Sequence, residues 1–265
     1  MSFLKPLTND PSLDGVGYLD FMRALSNSLA VRSYLEIGTD TGESLSCFRA
    51  DAVCIDPSFA VSRNVLADRR RAFFFQMTSD EFFLNHDLRL FLPGGFDVAF
   101  LDGLHLFEAL LRDFINAERY ANARSVILLH DCVPTNFRMA ERENRIDETE
   151  DPSTRRSWAG DVWRLLPVLH RFRPDLTVTV LDCPPTGLVA CTNLNPFSHV
   201  LADNFDSICA EFLTLDLATF GLDRLWEIFP VLDSQRLYGH QDEIPAALFG
   251  QVVAPTQYHG RSGAR

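Results

Sequence analysis

The residues with the most chemical reach fall in two short phrases, Phe100-Leu101-Asp102-Gly103-Leu104-His105 and Leu128-Leu129-His130-Asp131-Cys132. Each sets an imidazole and a carboxylate just past an apolar run. An unperturbed imidazole titrates near pH 6.5, so at neutral pH it can take a proton from a hydroxyl, while a neighbouring carboxylate orients the ring. Asp102, His105 and His130 are therefore candidate catalytic residues, with His105 the first choice for general base. Asp102 and Asp131 are also a candidate pair for a divalent ion. The bland alternative for His105 is to pad the start of the helix that follows.

A third phrase, Glu36-Ile37-Gly38-Thr39-Asp40-Thr41-Gly42-Glu43-Ser44, follows an apolar run and precedes helical sequence. Glycines there let the backbone turn tightly and come close to a ligand. The spacing is G-x-x-x-G, which lacks the third glycine of a nicotinamide-binding loop and the lysine of a phosphate-binding P-loop. Glu36 suits a ligand bearing an ammonium group. Asp56, next to Pro57 and about 20 residues on, can accept hydrogen bonds from ribose hydroxyls. Glu36, Gly38, Thr39, Gly42, Ser44, Asp56, Pro57, Ser79 and Asp102 form the candidate cofactor set.

These residues need a scaffold that brings them together. Short apolar runs at Ser33–Ile37, Ala52–Ile55, Ala72–Met77, Phe96–Leu101 and Ser125–Leu129 read as strands. Helical patterns at 61–71, 80–92 and 104–121 separate the later ones. Buried strands alternating with helices predict a doubly wound α/β fold with a mostly parallel sheet. Leu176–Leu181 and Leu188–Cys191 are joined by too short a link for a crossover helix, so they form a terminal antiparallel hairpin. The expected sheet has seven strands, with an N-terminal helix at 15–30 and a helical C-terminal extension. The expected segments are 1–32, a core at 33–195 and the extension at 196–265. Within the core, the charged stretch 134–160 stands where a substrate-covering lid would lie. Asp161 is placed to cap the helix 162–172. Phe73-Phe74-Phe75 reads as buried strand. The arginines 138, 142, 145, 155 and 156 read as solvated, and Trp158 as either an acceptor platform or a residue buried beneath the lid.

The glycine-loop phrase resembles the first motif of class I S-adenosylmethionine-dependent methyltransferases, E/D-x-G-x-x-x-G. The Asp102-Gly103-Leu104-His105 phrase, the helix bearing Asp113 and the Leu-Leu-His-Asp run are similar to the small-molecule O-methyltransferases that include the macrocin and cephalosporin-tailoring enzymes. The resemblance spans roughly Ser33 to Cys191. It implies S-adenosylmethionine as cofactor, Ser79 beside the adenine, and a small acceptor such as a sugar or natural product. Some relatives bind magnesium through positions matching Asp102 and Asp131. His130 and Cys132 depart from that pattern, so magnesium, a softer divalent ion and a metal-free site all stay open. The alternatives in other classes are a non-catalytic binding module and a nicotinamide-dependent dehydrogenase.

Bulk properties narrow the partners. The 265 residues carry 24 Lys and Arg against 36 Asp and Glu, a net charge of -12, which disfavours nucleic acid and anionic membrane surfaces. The N-terminus shows no signal-peptide pattern, and the six cysteines lie mostly in apolar runs, so a cytoplasmic chain with reduced thiols is expected. Only Cys183 and Cys191 flank a hairpin closely enough to approach each other. The apolar C-terminal clusters leave room for a homo-oligomer.

Overall fold

A computed structural model describes residues 3–5, 13–144 and 158–250. Its centre is one sheet of eight strands in the order β3-β2-β1-β4-β5-β7-β6-β8. These are β1 (Ser33–Ile37), β2 (Asp51–Ile55), β3 (Ala72–Phe75), β4 (Phe96–Leu101), β5 (Ala121–His130), β6 (Thr177–Leu181), β7 (Leu188–Thr192) and β8 (Val231–Leu232). The first five run parallel, while β7 is antiparallel to both β5 and β6. The expected hairpin is therefore present. The expected count of seven is one short: β8 pairs with β6, and Leu4 bridges to Leu232. A two-residue strand carries no alternation, so only its neighbours could reveal it.

Helices cover both faces. On one lie α2 (Ser79–Asn85), α3 (Phe107–Glu118) and α4 (Leu165–Phe172), packed on Leu35, Val53, Ala99 and Ile127. On the other, α1 (Tyr18–Ser28) covers Tyr34, Ala52, Val98 and Val126. Strand residues one apart thus serve opposite cores, which is why the central strands read as continuous apolar runs.

Several expectations need correction. Residues 61–70 form turns and bends instead of a helix. Asp68 sits at φ 62°, and the Arg69 guanidinium donates to the carbonyls of Leu45, Phe48 and Ala50, tying this crossover to the loop before β2. Such tertiary hydrogen bonds outweigh a modest helical pattern. Phe74 is 40% exposed because β3 is the sheet edge, so the Phe73–Phe75 run is not fully buried. Asp161 makes no cap for its own helix; its Oδ1 accepts from the Phe107 amide at 2.7 Å, at the start of α3. Arg142 is not merely solvated, because it donates to Glu108 and to Asp161 Oδ2. Arg145, Arg155, Arg156 and the expected tail at 259–265 lie outside the described residues. Every cysteine is free, and all but Cys209 are buried. No helix among the described residues is long and apolar enough to cross a membrane.

Candidate active site

Strand register places the site. Ile37 pairs with both Ile55 and Leu101, and Leu101 pairs with Leu129. The next residues along each strand are Gly38, Asp56, Asp102 and His130, so all four line one carboxyl edge. Chain order reverses between β1 and β4, and a parallel sheet opens a ligand crevice at that point. The glycine loop and the acid–histidine cluster stand on its two sides.

At Gly38 (φ 86°), a Cβ would collide with the Asp102 carbonyl. The glycine is what lets the β1 and β4 ends touch. Asp56 is buried and already engaged: Oδ2 accepts from the Asp40 amide at 2.8 Å and Oδ1 from the Ser58 amide at 2.7 Å. A carboxylate has about four lone-pair sites, so it can accept further donors. Glu36 is wholly buried beneath the loop, where it accepts from the Tyr34 hydroxyl at 2.9 Å and Oε2 has no partner. Burial pushes its carboxyl up to about 7, against the nearby hydroxyls of Ser44, Tyr34 and Thr39. Thr39 and Ser44 are buried beside it, Gly42 (φ 80°) completes the turn, and Pro57 is exposed.

Across the crevice, four side chains crowd together. His105 Nε2 lies 3.4 Å from Asp102 Oδ1 and 3.1 Å from Asp131 Oδ2. His130 Nδ1 lies 3.3 Å and 3.2 Å from the same two oxygens. Yet Asp102 Oδ1 and both ring nitrogens of His130 lack a hydrogen bond of proper direction. Asp131 reaches this position through a left-handed backbone, φ 59°, a conformation uncommon outside glycine. Burial would raise the Asp102 carboxyl, but the two histidines outweigh it and hold it below the usual range. Burial would lower both imidazoles; the carboxylates win there too, raising His105 and lifting His130 far above its ordinary value.

The two histidines differ in access. His130 is buried, with the Tyr18 ring 4.3 Å from its own, whereas the His105 side chain keeps a quarter of its surface open. Trp158 stacks on His105 at 5.1 Å and anchors itself by donating Nε1–H to the Glu141 carbonyl. Gly160 (φ 69°) lies against the His105 backbone, where a Cβ would strike its carbonyl. The chain that follows residue 157 thus rests on the candidate base. Tyr18 was missed by the sequence analysis, although it shares one face of α1 with buried Phe21, Met22 and Leu25 and so points inward.

Residues 35–132 match a family model described as a methyltransferase domain. The matched segment holds every candidate catalytic, cofactor-binding and metal residue, from Glu36 to Asp131. No curated protein matches the chain. Among solved structures it is similar to an O-methyltransferase from Bacillus cereus in complex with SAH, at 18% identity over 66% of this chain and 79% of the other, with a TM-score of 0.43. It is also similar to an SAH-bound methyltransferase from Podospora anserina, at 14% over 66% and 77%, TM-score 0.45. A third is the O-methyltransferase TomG from Streptomyces achromogenes, involved in tomaymycin synthesis and bound to SAM, at 17% over 67% and 80%, TM-score 0.45.

Proposed function

We propose that the protein is an S-adenosylmethionine-dependent O-methyltransferase acting on a small acceptor, such as a sugar or natural product. The row of Gly38, Asp56, Asp102 and His130 along one carboxyl edge carries this reading. When bound, the cofactor supplies an electrophilic methyl on a sulfonium. Gly38 and Gly42 admit its amino-acid end, and Asp56 accepts from its ribose hydroxyls. Thr39 Oγ1, buried without a partner, is one more group at this loop ready for a ligand.

His105 takes the acceptor proton, being the imidazole on the open side of the cluster. Asp102 and Asp131 stabilise the imidazolium that results, and buried His130 lies within 3.3 Å of both carboxylates on the closed side. Such a base contributes on the order of 10²–10⁴-fold to the rate.

Magnesium does not fit this set. Asp102, His105 and Asp131 each offer one atom within 4.8 Å of the others, so a nitrogen stands among the donors. Cys132, which follows Asp131, turns its thiol to the carbonyls of His130 and Val162. Magnesium wants oxygen ligands in near-octahedral array. Activity is expected not to depend on added magnesium.

Isothermal titration of EDTA-treated protein with S-adenosylhomocysteine tests the reading, with and without magnesium. Binding heat of equal size in both conditions is the expected result. Absence of heat in both removes the proposal.

A further inference from the structure

The candidate base lacks the support an imidazole in that role normally has. Such a ring is ordinarily fixed by a hydrogen bond at its second nitrogen, which sets both its tautomer and its plane. In His105 that nitrogen, Nδ1, is buried and has no hydrogen-bond partner among the described residues. The contacts to Asp131 and Asp102, at 3.1 and 3.4 Å, are made at Nε2. Nε2 lies nearer the Cβ–Cγ axis than Nδ1 does, so contacts there only weakly resist rocking of the ring about that axis. Something else must fix the plane.

The indole of Trp158 is the flat surface within reach. Its ring centroid stands 5.1 Å from that of His105, with the two planes 27° apart, an offset stack. The indole is itself tied down. Its Nε1–H donates to the Glu141 carbonyl at 2.7 Å, and the next amide, of Ala159, donates to the Met139 carbonyl at 2.8 Å. The backbone that carries Trp158 is also pinned to the backbone that carries His105. Gly160 lies so close to the His105 carbonyl that a Cβ would collide with it, and Asp161 Oδ1 accepts from the Phe107 amide at 2.7 Å. Arg142 closes the bracket by donating to both Glu108 and Asp161. The two rings therefore cannot drift apart without breaking several of these contacts.

We infer that Trp158 is a positioning residue for the candidate base: its indole face fixes the plane of the His105 imidazole in place of the hydrogen bond that Nδ1 lacks. This rests on the reading of His105 as the base, given above. The face turned to His105 is thereby committed and is not a stacking platform for the acceptor. The role needs a flat ring, because an aliphatic side chain covers the imidazole without aligning it.

The test is 13C relaxation of the histidine rings in the full chain, labelled selectively at histidine, which needs no acceptor. In the unaltered protein the His105 ring should be as ordered as that of buried His130, with an order parameter of about 0.85. Trp158→Leu should drop His105 below about 0.6, towards exposed His199, and leave His130 unchanged. Trp158→Phe, which keeps a flat ring, should recover most of the lost order. Turnover should follow the ring, falling by roughly 10-fold or more in Trp158→Leu at unchanged KM for the acceptor. A His105 ring as rigid in Trp158→Leu as in the unaltered protein overturns the inference. So does a Trp158→Phe ring no better ordered than that of Trp158→Leu, a loss of order that His130 shares, or a change in KM alone. The base reading fails separately, if His105→Ala retains full turnover, and the ring measurement does not depend on it.

Discussion

The two sides of the crevice are built on opposite principles. On the glycine-loop side the chain answers most of its own polar groups, leaving Glu36 Oε2 and Thr39 Oγ1 without a partner. Asp56 holds the amides of Asp40 and Ser58, and Glu36 holds the Tyr34 hydroxyl. That side is preorganised, and a ligand meets a surface already shaped for it. On the β4–β5 side, two carboxylates and two imidazoles stand 3.1–3.4 Å apart with poor hydrogen-bond direction, and Asp131 is held in a strained backbone. That side keeps proton affinities displaced from their ordinary values, as acid–base chemistry requires. The difference lies in how closely charged groups are packed: one carboxylate bound by two backbone amides on one side, two carboxylates and two imidazoles on the other.

The sharpest way to break the contrast is to break both sides together. Gly38→Ala forces a Cβ against the Asp102 carbonyl and should destabilise the fold by about 3 kcal/mol or more, read by chemical denaturation. His105→Ala strikes only the reacting side. Turnover should fall by roughly 10²-fold or more while titration shows unchanged affinity for S-adenosylhomocysteine. Asp56→Ala strikes only the binding side, weakening that affinity by about 1–3 kcal/mol. If the two variants moved the same quantity, the division of labour would be wrong.

The smallest expected effect sharpens the contrast through pH. The Asp131 charge helps to raise His105, so in Asp131→Asn the imidazole loses its proton at lower pH. The acid limb of kcat/KM, set by a base that must be unprotonated, should then move to lower pH. A limb that stayed in place would separate Asp131 from the base. The binding side predicts no such movement.

Much of this molecule was written locally. The spans of β1 and β4 are the apolar runs themselves, bounded by Gly38 and Asp102 at one end and by turn residues at the other. The hairpin β6–β7 followed from a link too short for a helix, and the glycine loop from spacing. Such features depend on periodicity and backbone permissiveness, which neighbours in sequence decide. Tertiary structure decided the rest. No pattern shows that Arg69 would dissolve the helix expected at 61–71, or that Asp161 would serve α3 in place of its own helix. Nor could spacing tell that Tyr18, from the far end of the chain, would face His130, or that Trp158 would stack on His105. These contacts join residues remote in sequence, and their energies exist only once the sheet has brought its carboxyl edge together.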